Sequence, residues 1–500
     1  MLETQRGEDG RAWVKGNTYP ASTSFARSMV GRGFAYAPNG EVGDAQFSAS
    51  EASALKALVL APWNQQPVSF DAALSRVCVF AQFSDGSYLC TSQADGNYAR
   101  RLFKLTGDPT GSFTASVFPG STFANLKNVS GINVFDASSG IQNAWIAANG
   151  DVFFLWKNAT TDTYFLHRAK AGTWTVGTDA GYSNFQACID VGRYGATHHT
   201  GIRVANARGF LDFVNSAGQR TILLADYNVH QGRDFDGGAA TGDASVVWRS
   251  TDGGATFSIF LEFASGGTGT HRIDHFHGVV RDPHTGMIYF MTGDSGAENN
   301  IIQWDGVSAA PAANATIATI AATPGWRIRS GSELVRYTDL LFAPTCIYSI
   351  PDCDKETTDT TSSAFVNTVI DKNLGWVSSI APVARLDDIP PVTAVRAKGW
   401  SAVISFVGQN SPERYFHIWT IDGNPEAGAS WTLVTKLKTY SDPTPYPAAI
   451  PQHSFVDAAG DLWVSGVLGH GVQFSPESQS ASSVRLRPVA RRALNVYDLT

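Results

Sequence analysis

The sequence predicts an all-β protein, a β-propeller of six or seven blades with seven favoured, preceded by a short N-terminal extension. Three observations support this prediction. Strand–turn–strand units recur from about residue 66 onward, their turns share one kind of sequence, and long stretches with helical periodicity are scarce. Charged residues make up only 16% of the chain, whereas 48 glycines and 22 prolines favour many turns. Radially repeated sheets explain this recurrence best.

The predicted strands are apolar runs rich in β-branched and aromatic residues, separated by Asp, Asn and Gly turns. They are Val77–Phe83 with Ser87–Thr91, Trp145–Ala147 with Val152–Trp156, Tyr164–Ala169 with Trp174–Val176, Gly209–Val214 with Thr221–Ala225, Val246–Arg249 with Phe257–Leu261, Gly278–Arg281 with Met287–Thr292, Ala402–Val407 with Tyr415–Ile421 and Trp431–Thr435, and Ser454–Asp457 with Leu462–Val467. Ser483–Pro488 is a candidate closing strand. Packed sandwich domains are the alternative architecture. A parallel β-helix is less favoured because its turns recur at shorter, more regular intervals.

Residues 1–65 differ from the rest and are predicted to form an extension or attachment segment, with residues 66–500 forming the propeller. Ser48–Leu60 has Ala, Leu and Lys at helical spacing and is the best helix candidate. The first ten residues are polar and do not resemble a signal peptide. A surface rich in Thr, Ser, Asn and Gly favours an extracellular or virion setting.

Composition excludes two classes of partner. The net charge of −7 gives no electrostatic basis for binding nucleic acid, and no run of 18 apolar residues predicts a membrane span. Cysteine usage leaves two alternatives open. Cys78 with Cys90, and Cys346 with Cys353, are spaced for disulfides that would leave Cys188 over, but five buried thiols explain the sequence equally well.

One eight-residue stretch carries a family resemblance. Ser250–Phe257 reads Ser-Thr-Asp-Gly-Gly-Ala-Thr-Phe between two apolar runs, which predicts a tight hairpin. It resembles the Asp-box of sialidase-like β-propellers, and the likeness extends through the His-Gly, Asp-Pro and Thr-Gly-Asp elements that end at Asp294. The function of that family is mostly not established, so the resemblance implies a fold rather than a reaction. It places the Asp-box on the outer hairpin of a blade and His275 and His277 near the propeller axis.

The densest cluster of chemically active side chains precedes and enters a predicted strand. Alternation along that strand puts His275 and His277 on one face and Asp274 on the other. Such a pair can chelate a metal or supply an acid or base, although histidines that only hydrogen-bond the turn backbone are an open alternative. The candidate catalytic residues are His275, His277, His198, His199 and Tyr337, and the candidate substrate-binding residues are Arg272, Asp274, Arg327, Arg336 and Tyr227.

These residue types suit an acidic glycan, because arginine binds carboxylate or sulfate in a bidentate manner and His or Tyr transfers protons. A classical sialidase is not expected: its glutamate is nearly missing, with only Glu262 between residues 52 and 297, and its Arg-Ile-Pro element is absent. A polysaccharide lyase or glycoside hydrolase fits better. A non-enzymatic structural or receptor-binding component of a phage tail or surface appendage is the alternative, which would have other virion or appendage proteins as partners.

No cofactor is predicted with certainty. The Asp-rich turns at Asp234–Gly237 and Asp352–Asp354 suggest Ca²⁺, and the paired histidines suggest Zn²⁺. Solvated turn carboxylates are the favoured interpretation of the Asp-rich turns.

Overall fold

The computed structural model describes a defined set of residues. These are 64–66, 69–70, 77–92, 101–107, 112–117, 126, 130, 140–158, 163–171, 187–190, 207–225, 245–263, 273, 276–293, 299–312, 315–330, 337–351, 365–371, 380–385, 391–397, 400–407, 414–422, 432–441, 453–465, 472–473 and 483–487. The predicted helix at Ser48–Leu60 lies outside them. The chain divides into two compact units, Met1–Gln66 with Leu486–Thr500, and Pro67–Arg485.

Strands dominate the described residues. In the first half of the chain they are β1 (Asn64–Gln66), β2 (Ser69–Phe70), β3 (Cys78–Gln82), β4 (Tyr88–Ser92), β5 (Arg101–Gly107), β6 (Ser112–Val117), β7 (Gly140–Ile146), β8 (Val152–Asn158), β9 (Thr163–Ala169), β10 (Ala187–Asp190), β11 (Phe210–Val214), β12 (Arg220–Ala225), β13 (Ser245–Ser250) and β14 (Ser258–Phe263). The second half contains β15 (Phe276–Arg281), β16 (Ile288–Thr292), β17 (Asn300–Trp304), β18 (Trp326–Ser330), β19 (Tyr337–Phe342), β20 (Cys346–Pro351), β21 (Phe365–Asp371), β22 (Ile380–Arg385), β23 (Pro391–Ala397), β24 (Trp400–Val407), β25 (Arg414–Asp422), β26 (Thr432–Ser441), β27 (His453–Val456), β28 (Leu462–Ser465), β29 (Val472–Gln473) and β30 (Ser483–Arg487).

A short helix and a 3-10 turn interrupt the strands. The helix α1 (Ile317–Ala322) lies between β17 and β18 and begins at a capping box, in which Thr316 and Thr319 satisfy each other's backbone amides. The 3-10 turn, Ala207–Gly209, comes directly before β11.

Within Pro67–Arg485 the described strands form seven sheets. In chain order, sheet 1 is β2-β6-β5-β4-β3, sheet 2 is β10-β9-β8-β7, sheet 3 is β11-β12-β13-β14, sheet 4 is β15-β16-β17-β18, sheet 5 is β19-β20-β21-β22, sheet 6 is β23-β24-β25-β26-β29, and sheet 7 contains β30-β28-β27. Apart from β2, which pairs parallel with β6, neighbouring strands with a defined register are antiparallel, and first strands contact one another between sheets 1 and 2 and from sheet 3 through sheet 7. The described part of the chain is therefore all-β, with a β-propeller arrangement of at least five blades; the all-β class and the propeller arrangement agree with the prediction, and the count of six or seven blades stays a prediction.

The turn between the first and second strands of a sheet repeats almost unchanged. In sheet 1, the amide of Phe83 donates to Ser87 O at 2.7 Å, and the amide of Gly86 donates back to Phe83 O at 3.0 Å. Sheets 2, 3 and 7 repeat this pair of bonds, each with a glycine at a φ of 77 to 86°, which only glycine adopts without strain. The predicted Asp-Gly and Asn-Gly turns are confirmed here.

The core lies between neighbouring sheets rather than inside any one of them. Trp145 and Phe153 of sheet 2 pack on Leu224 and Trp248 of sheet 3, and comparable buried clusters join sheets 1 and 2, 3 and 4, and 4 and 5. Because both faces of such a sheet are covered, strands such as β4, β12 and β16 bury the side chains on both of their faces, and this burial is the main favourable term in folding.

Sheet 7 packs directly on sheet 1. The hydroxyl of Ser465 donates to Val79 O at 2.7 Å, and the amide of Val79 donates to the hydroxyl of Ser483 at 2.9 Å. Beside them the fully buried Arg485 lies 2.5 Å from a carboxylate oxygen of the fully buried Asp461. Residues about 400 positions apart thus join the last sheet to the first.

The Cys78–Cys90 disulfide alternative is wrong, and the Cys346–Cys353 alternative stays a prediction because Cys353 lies outside the described residues. Cys78 pairs with Thr91 and Cys90 with Val79, so the two thiols lie on opposite faces of their hairpin and cannot meet. Burial raises the pKa of the Cys78 thiol to about 12. Among the described residues no helix is long and apolar enough to cross a membrane.

Candidate functional site

The candidate site lies where the first strands of sheets 3, 4 and 5 begin. The 3-10 turn before β11 packs against β15, and β15 packs against β19. In β15 the register against β16 shifts between Phe276 and Gly278, and in β19 the register against β20 shifts between Tyr337 and Asp339. Such bulges redirect side chains, and here they occur at His277 and Thr338, at the same level of two neighbouring sheets.

His277 is buried, with 3% of its surface exposed. Its Nδ1 lies 2.7 Å from the carbonyl oxygen of Tyr337 in the next sheet. Because a carbonyl only accepts, Nδ1 carries the proton, and in the neutral ring Nε2 is the nitrogen with the lone pair. The geometry thus fixes which ring nitrogen is basic.

An ion pair crosses the same region from sheet 3 to sheet 5. Arg208 Nε donates to Asp339 Oδ2 at 2.9 Å, and the Asp339 side chain is fully buried whereas that of Arg208 is 30% exposed. The other oxygen of Asp339 accepts from the amide of Leu340 at 2.8 Å. A buried carboxylate is thus compensated by a cation that reaches the surface.

Gly278 allows the turn that carries Arg208 to lie close to β15. A Cβ atom at Gly278 would lie 2.9 Å from Arg208 Cβ and 3.2 Å from Arg208 O, which is too close. The glycine that follows the predicted His-Phe-His element is therefore needed for space: it lets the turn that carries Arg208 lie against β15.

The structure brings together two of the predicted catalytic residues, His277 and Tyr337. They meet through the Tyr337 carbonyl, while the Tyr337 side chain lies in the buried cluster between sheets 4 and 5 with Tyr289 and Leu340. Arg327 is exposed on β18, at the far edge of sheet 4 from His277. The remaining candidates lie outside the described residues: His198, His199, Tyr227, Arg272, Asp274, His275 and Arg336.

Sequence reasoning missed Arg208 and Asp339 as site residues. Asp339 did carry a signal, because a carboxylate within the apolar run Tyr337–Phe342 must find a buried partner. Arg208 carried none, since nothing in the sequence shows that the segment before Gly209 lies against β15.

His453, at the start of β27, is a further buried histidine that the sequence did not single out. Its ring meets Phe80 of sheet 1 edge-on, with ring centroids 4.7 Å apart. Burial lowers its pKa to about 3, so it is neutral at ordinary pH and does not act as an acid.

No group of three His, Cys, Asp or Glu side chains within the described residues has the geometry of a metal site. The Asp-rich turns Asp234–Gly237 and Asp352–Asp354 lie outside that part of the chain. The predicted Ca²⁺ or Zn²⁺ therefore stays a prediction.

The Asp-box forms the hairpin between β13 and β14, the outer pair of sheet 3, as the resemblance implied. Asp252 accepts from the Ser250 and Thr256 hydroxyls at 2.7 and 2.6 Å and from the amides of Ala255 and Thr256. Burial alone would raise the Asp252 pKa, but these bonds lower it to about 2. The carboxylate is committed to its own turn, which indicates a structural role.

No family model and no curated protein matches the chain. Solved structures with partial similarity include the PQQ-bound aldose sugar dehydrogenase of Streptomyces coelicolor, at 12% identity over 85% of this chain and 99% of that chain, with a TM-score of 0.38.

Two other structures give similar values. A Hadza microbial sialidase has 9% identity over 80% of this chain and 73% of its own, with a TM-score of 0.36. Drosophila plexin A in complex with semaphorin 1b has 9% identity over 85% and 88% of the two chains, also with a TM-score of 0.36. Every one of these TM-scores is below 0.5, so the similarities assign no activity to the chain.

Proposed function

We propose that the chain is a seven-bladed β-propeller that binds an acidic surface polysaccharide where its inner strands begin, with Arg208 as the anchor for a carboxylate or sulfate group. The observation that carries this proposal is the Arg208–Asp339 ion pair: it joins the turn before sheet 3 to sheet 5, buries the Asp339 side chain completely and leaves 30% of the Arg208 side chain exposed.

The blade count rests on the seven sheets and on the contacts between them. First strands of successive sheets meet from β11 through β27, β3 meets β7, and β27 meets β3. Sheets 2 and 3 are linked by the amide of Ala148, which donates to Asp212 Oδ2 at 2.7 Å. A ring of seven accounts for all of these contacts.

Binding an acidic glycan follows from the charge at Arg208. Its Nε bond to Asp339 fixes the plane of the guanidinium, and a fixed plane loses little entropy when it binds a carboxylate or sulfate. Asp339 keeps the cation in place without reaching solvent, so it does not repel an anion by direct contact. Lysine cannot reproduce this planar geometry.

Cleavage is the second candidate, and the fixed tautomer of His277 is what favours it. In a lyase reaction Nε2 takes the proton from the carbon next to the uronate carboxylate, and that electron pair forms a C=C bond as the C–O bond to the departing sugar breaks. The departing oxygen takes a proton from water, and Arg208 stabilises the charge that develops on the carboxylate. The burial of His277 makes binding without cleavage the first choice.

A purely structural or receptor-binding component of a tail or appendage uses the same fold without this chemistry. The extracellular or virion setting also stays a prediction.

Binding is tested with a panel of acidic and neutral polysaccharides in affinity electrophoresis. Arg208→Lys keeps a positive charge beside Asp339 but removes the planar fork, and we expect about a tenfold loss of affinity for the acidic polysaccharides only. Arg220→Lys is the matched control, because Arg220 pairs with Asp212 on the same sheet at a similar exposure. Equal loss in both variants, or no binding to any polysaccharide, contradicts the proposal.

Cleavage is tested by the ultraviolet absorbance of unsaturated uronate. His277→Asn keeps an N–H donor for Tyr337 O but removes the base, whereas His277→Ala removes both. If His277 is the base, both variants lose product formation. If it only supports the backbone, the Asn variant retains activity, and absence of product with the unmodified protein on every polysaccharide leaves binding alone.

A further inference from the structure

A second pocket lies on sheet 4, away from the candidate site. It has a volume of about 270 Å³ and is lined by Thr285, Met287, Tyr289, Gln303, Asp305, Gly325, Trp326 and Arg327. Its floor is one cross-strand row, because Tyr289 pairs with Gln303 and Gln303 pairs with Arg327. This row lies on the face of sheet 4 where Tyr289 contacts Phe342 of sheet 5, with ring centroids 5.3 Å apart.

The polar side chains of this pocket differ in whether they are hydrogen-bonded to other side chains. Gln303 Nε2 donates to the Tyr289 hydroxyl at 2.6 Å, which fixes the orientation of the amide and makes Gln303 Oε1 the acceptor end of the side chain. Arg327 is exposed and forms no hydrogen bond or ion pair with the part of the chain that the structure describes. The pocket therefore offers an uncompensated cation beside an oriented acceptor.

Asp305 does not form an ion pair with Arg327, because its carboxylate already accepts hydrogen bonds within its own turn. It accepts from the amides of Val307 and Ser308 at 2.9 and 2.8 Å and from the Ser308 hydroxyl at 2.5 Å. Burial alone would raise the Asp305 pKa, but these bonds lower it, so the group stays ionised and fixed.

Gly325 keeps the pocket wall compact. Its φ is +81°, and a Cβ atom there would lie 2.4 Å from Asp305 Oδ2 and 2.2 Å from Ser308 Oγ. The wall is therefore formed by backbone and by the turn that Asp305 and Ser308 hold together. The side chains that can contact a ligand are those of the Tyr289–Gln303–Arg327 row.

We propose that this pocket binds a single acidic sugar residue, with the carboxylate on Arg327 and a hydroxyl donating to Gln303 Oε1. The volume is slightly below the roughly 300–1,000 Å³ of common ligand pockets, which suits one ring rather than an oligosaccharide. Arg327 was grouped at the sequence level with the histidines near the axis. The structure places it on β18, at the opposite edge of sheet 4 from His277, so this proposal is independent of Arg208 and of polysaccharide binding there.

The test uses saturation-transfer NMR titrations with glucuronate, glucose and acetate as probes. We expect the unmodified protein to bind glucuronate more tightly than either acetate or glucose, since only glucuronate supplies both groups. Arg327→Met should weaken glucuronate binding about tenfold or more. Gln303→Met, which keeps the shape but removes Oε1, should weaken glucuronate binding severalfold and leave acetate binding unchanged.

Arg281→Met is the matched control. Arg281 is also an exposed arginine of sheet 4, but it lies over the Phe213 ring of sheet 3 at 5.6 Å and does not line the pocket. The proposal is overturned if glucuronate does not bind, if Arg327→Met binds it as tightly as the unmodified protein, or if Arg281→Met weakens it equally. Binding of acidic polysaccharides at Arg208 is measured in parallel. The result at Arg208 neither supports nor contradicts glucuronate binding in this pocket.

Discussion

The Asp-box hairpin and the candidate site each hold one carboxylate, Asp252 and Asp339, and they differ in how far away in the sequence its hydrogen-bond partners lie. Asp252 is held by residues at most four positions away, within one turn. Asp339 is held by Arg208, which is 131 positions distant and lies in the turn before sheet 3, whereas Asp339 lies in sheet 5. One carboxylate is partly solvated and saturated by its own hairpin, whereas the other is buried and depends on the assembled fold.

This difference explains what each region contributes. A turn that closes on itself forms early and tolerates change in the rest of the molecule, because its bonds need no distant partner. An ion pair between sheets exists only after the sheets have packed, and it leaves an exposed cation at a fixed place. The Asp-box therefore stabilises the blade, and the inner strands carry the groups that can meet a ligand.

We expect the largest effect from a substitution that breaks the Arg208–Asp339 ion pair. Arg208→Met leaves Asp339 buried without its cation, and we expect the free energy of unfolding to fall by about 3 kcal/mol, since removing one partner of a buried pair is costly. Lys104→Met is the control, because its partner Asp85 is about half exposed, and we expect about 0.5 kcal/mol or less there. Urea denaturation measures both. Similar losses would show that the burial of the carboxylate does not set the cost of losing its cation.

The next effect tests how far the Asp-box is independent of its neighbours. Gly253 and Gly254 both have positive φ, but a Cβ at Gly254 would lie 2.3 Å from the Phe153 ring of sheet 2, whereas at Gly253 the nearest atom is 3.6 Å away. We expect Gly253→Ala to cost about 1 kcal/mol from backbone strain and Gly254→Ala about 2 kcal/mol or more from strain plus overpacking. Equal costs in urea denaturation would show that the box does not couple the two sheets.

The features that the sequence predicted correctly are local. The hairpins, including the one at Ser250–Phe257, and the Asp-Gly and Asn-Gly turns depend on residues a few positions apart, so composition and alternation are enough to find them. The position of His277 on an inner strand followed from the order of strands within one blade. For the described part of the chain, these predictions account for most of the fold that positions the site.

The features that were missed or misplaced depend on tertiary packing. Cys78 and Cys90 were spaced for a disulfide, but the register of β3 against β4 puts them on opposite faces. Arg327 was grouped with His277 although it lies on the outermost strand of sheet 4. The partnership of Arg208 with Asp339 needs the ring of sheets, which no spacing in the sequence reveals.

The smallest expected effect is the pH dependence of the Asp-box. The Asp252 pKa is about 2 in the folded protein and about 3.9 in an unfolded chain. A lowered folded pKa stabilises the protein above pH 4, and the contribution disappears as pH falls from about 4 to 2. Because Asp252 is largely exposed, we expect Asp252→Asn to cost only about 1 kcal/mol at pH 7 and progressively less below pH 4. Urea midpoints of both proteins at several pH values measure the difference. A difference that stays constant down to pH 2 would show that the hydrogen bonds of the turn, rather than the charge on the carboxylate, hold the Asp-box together.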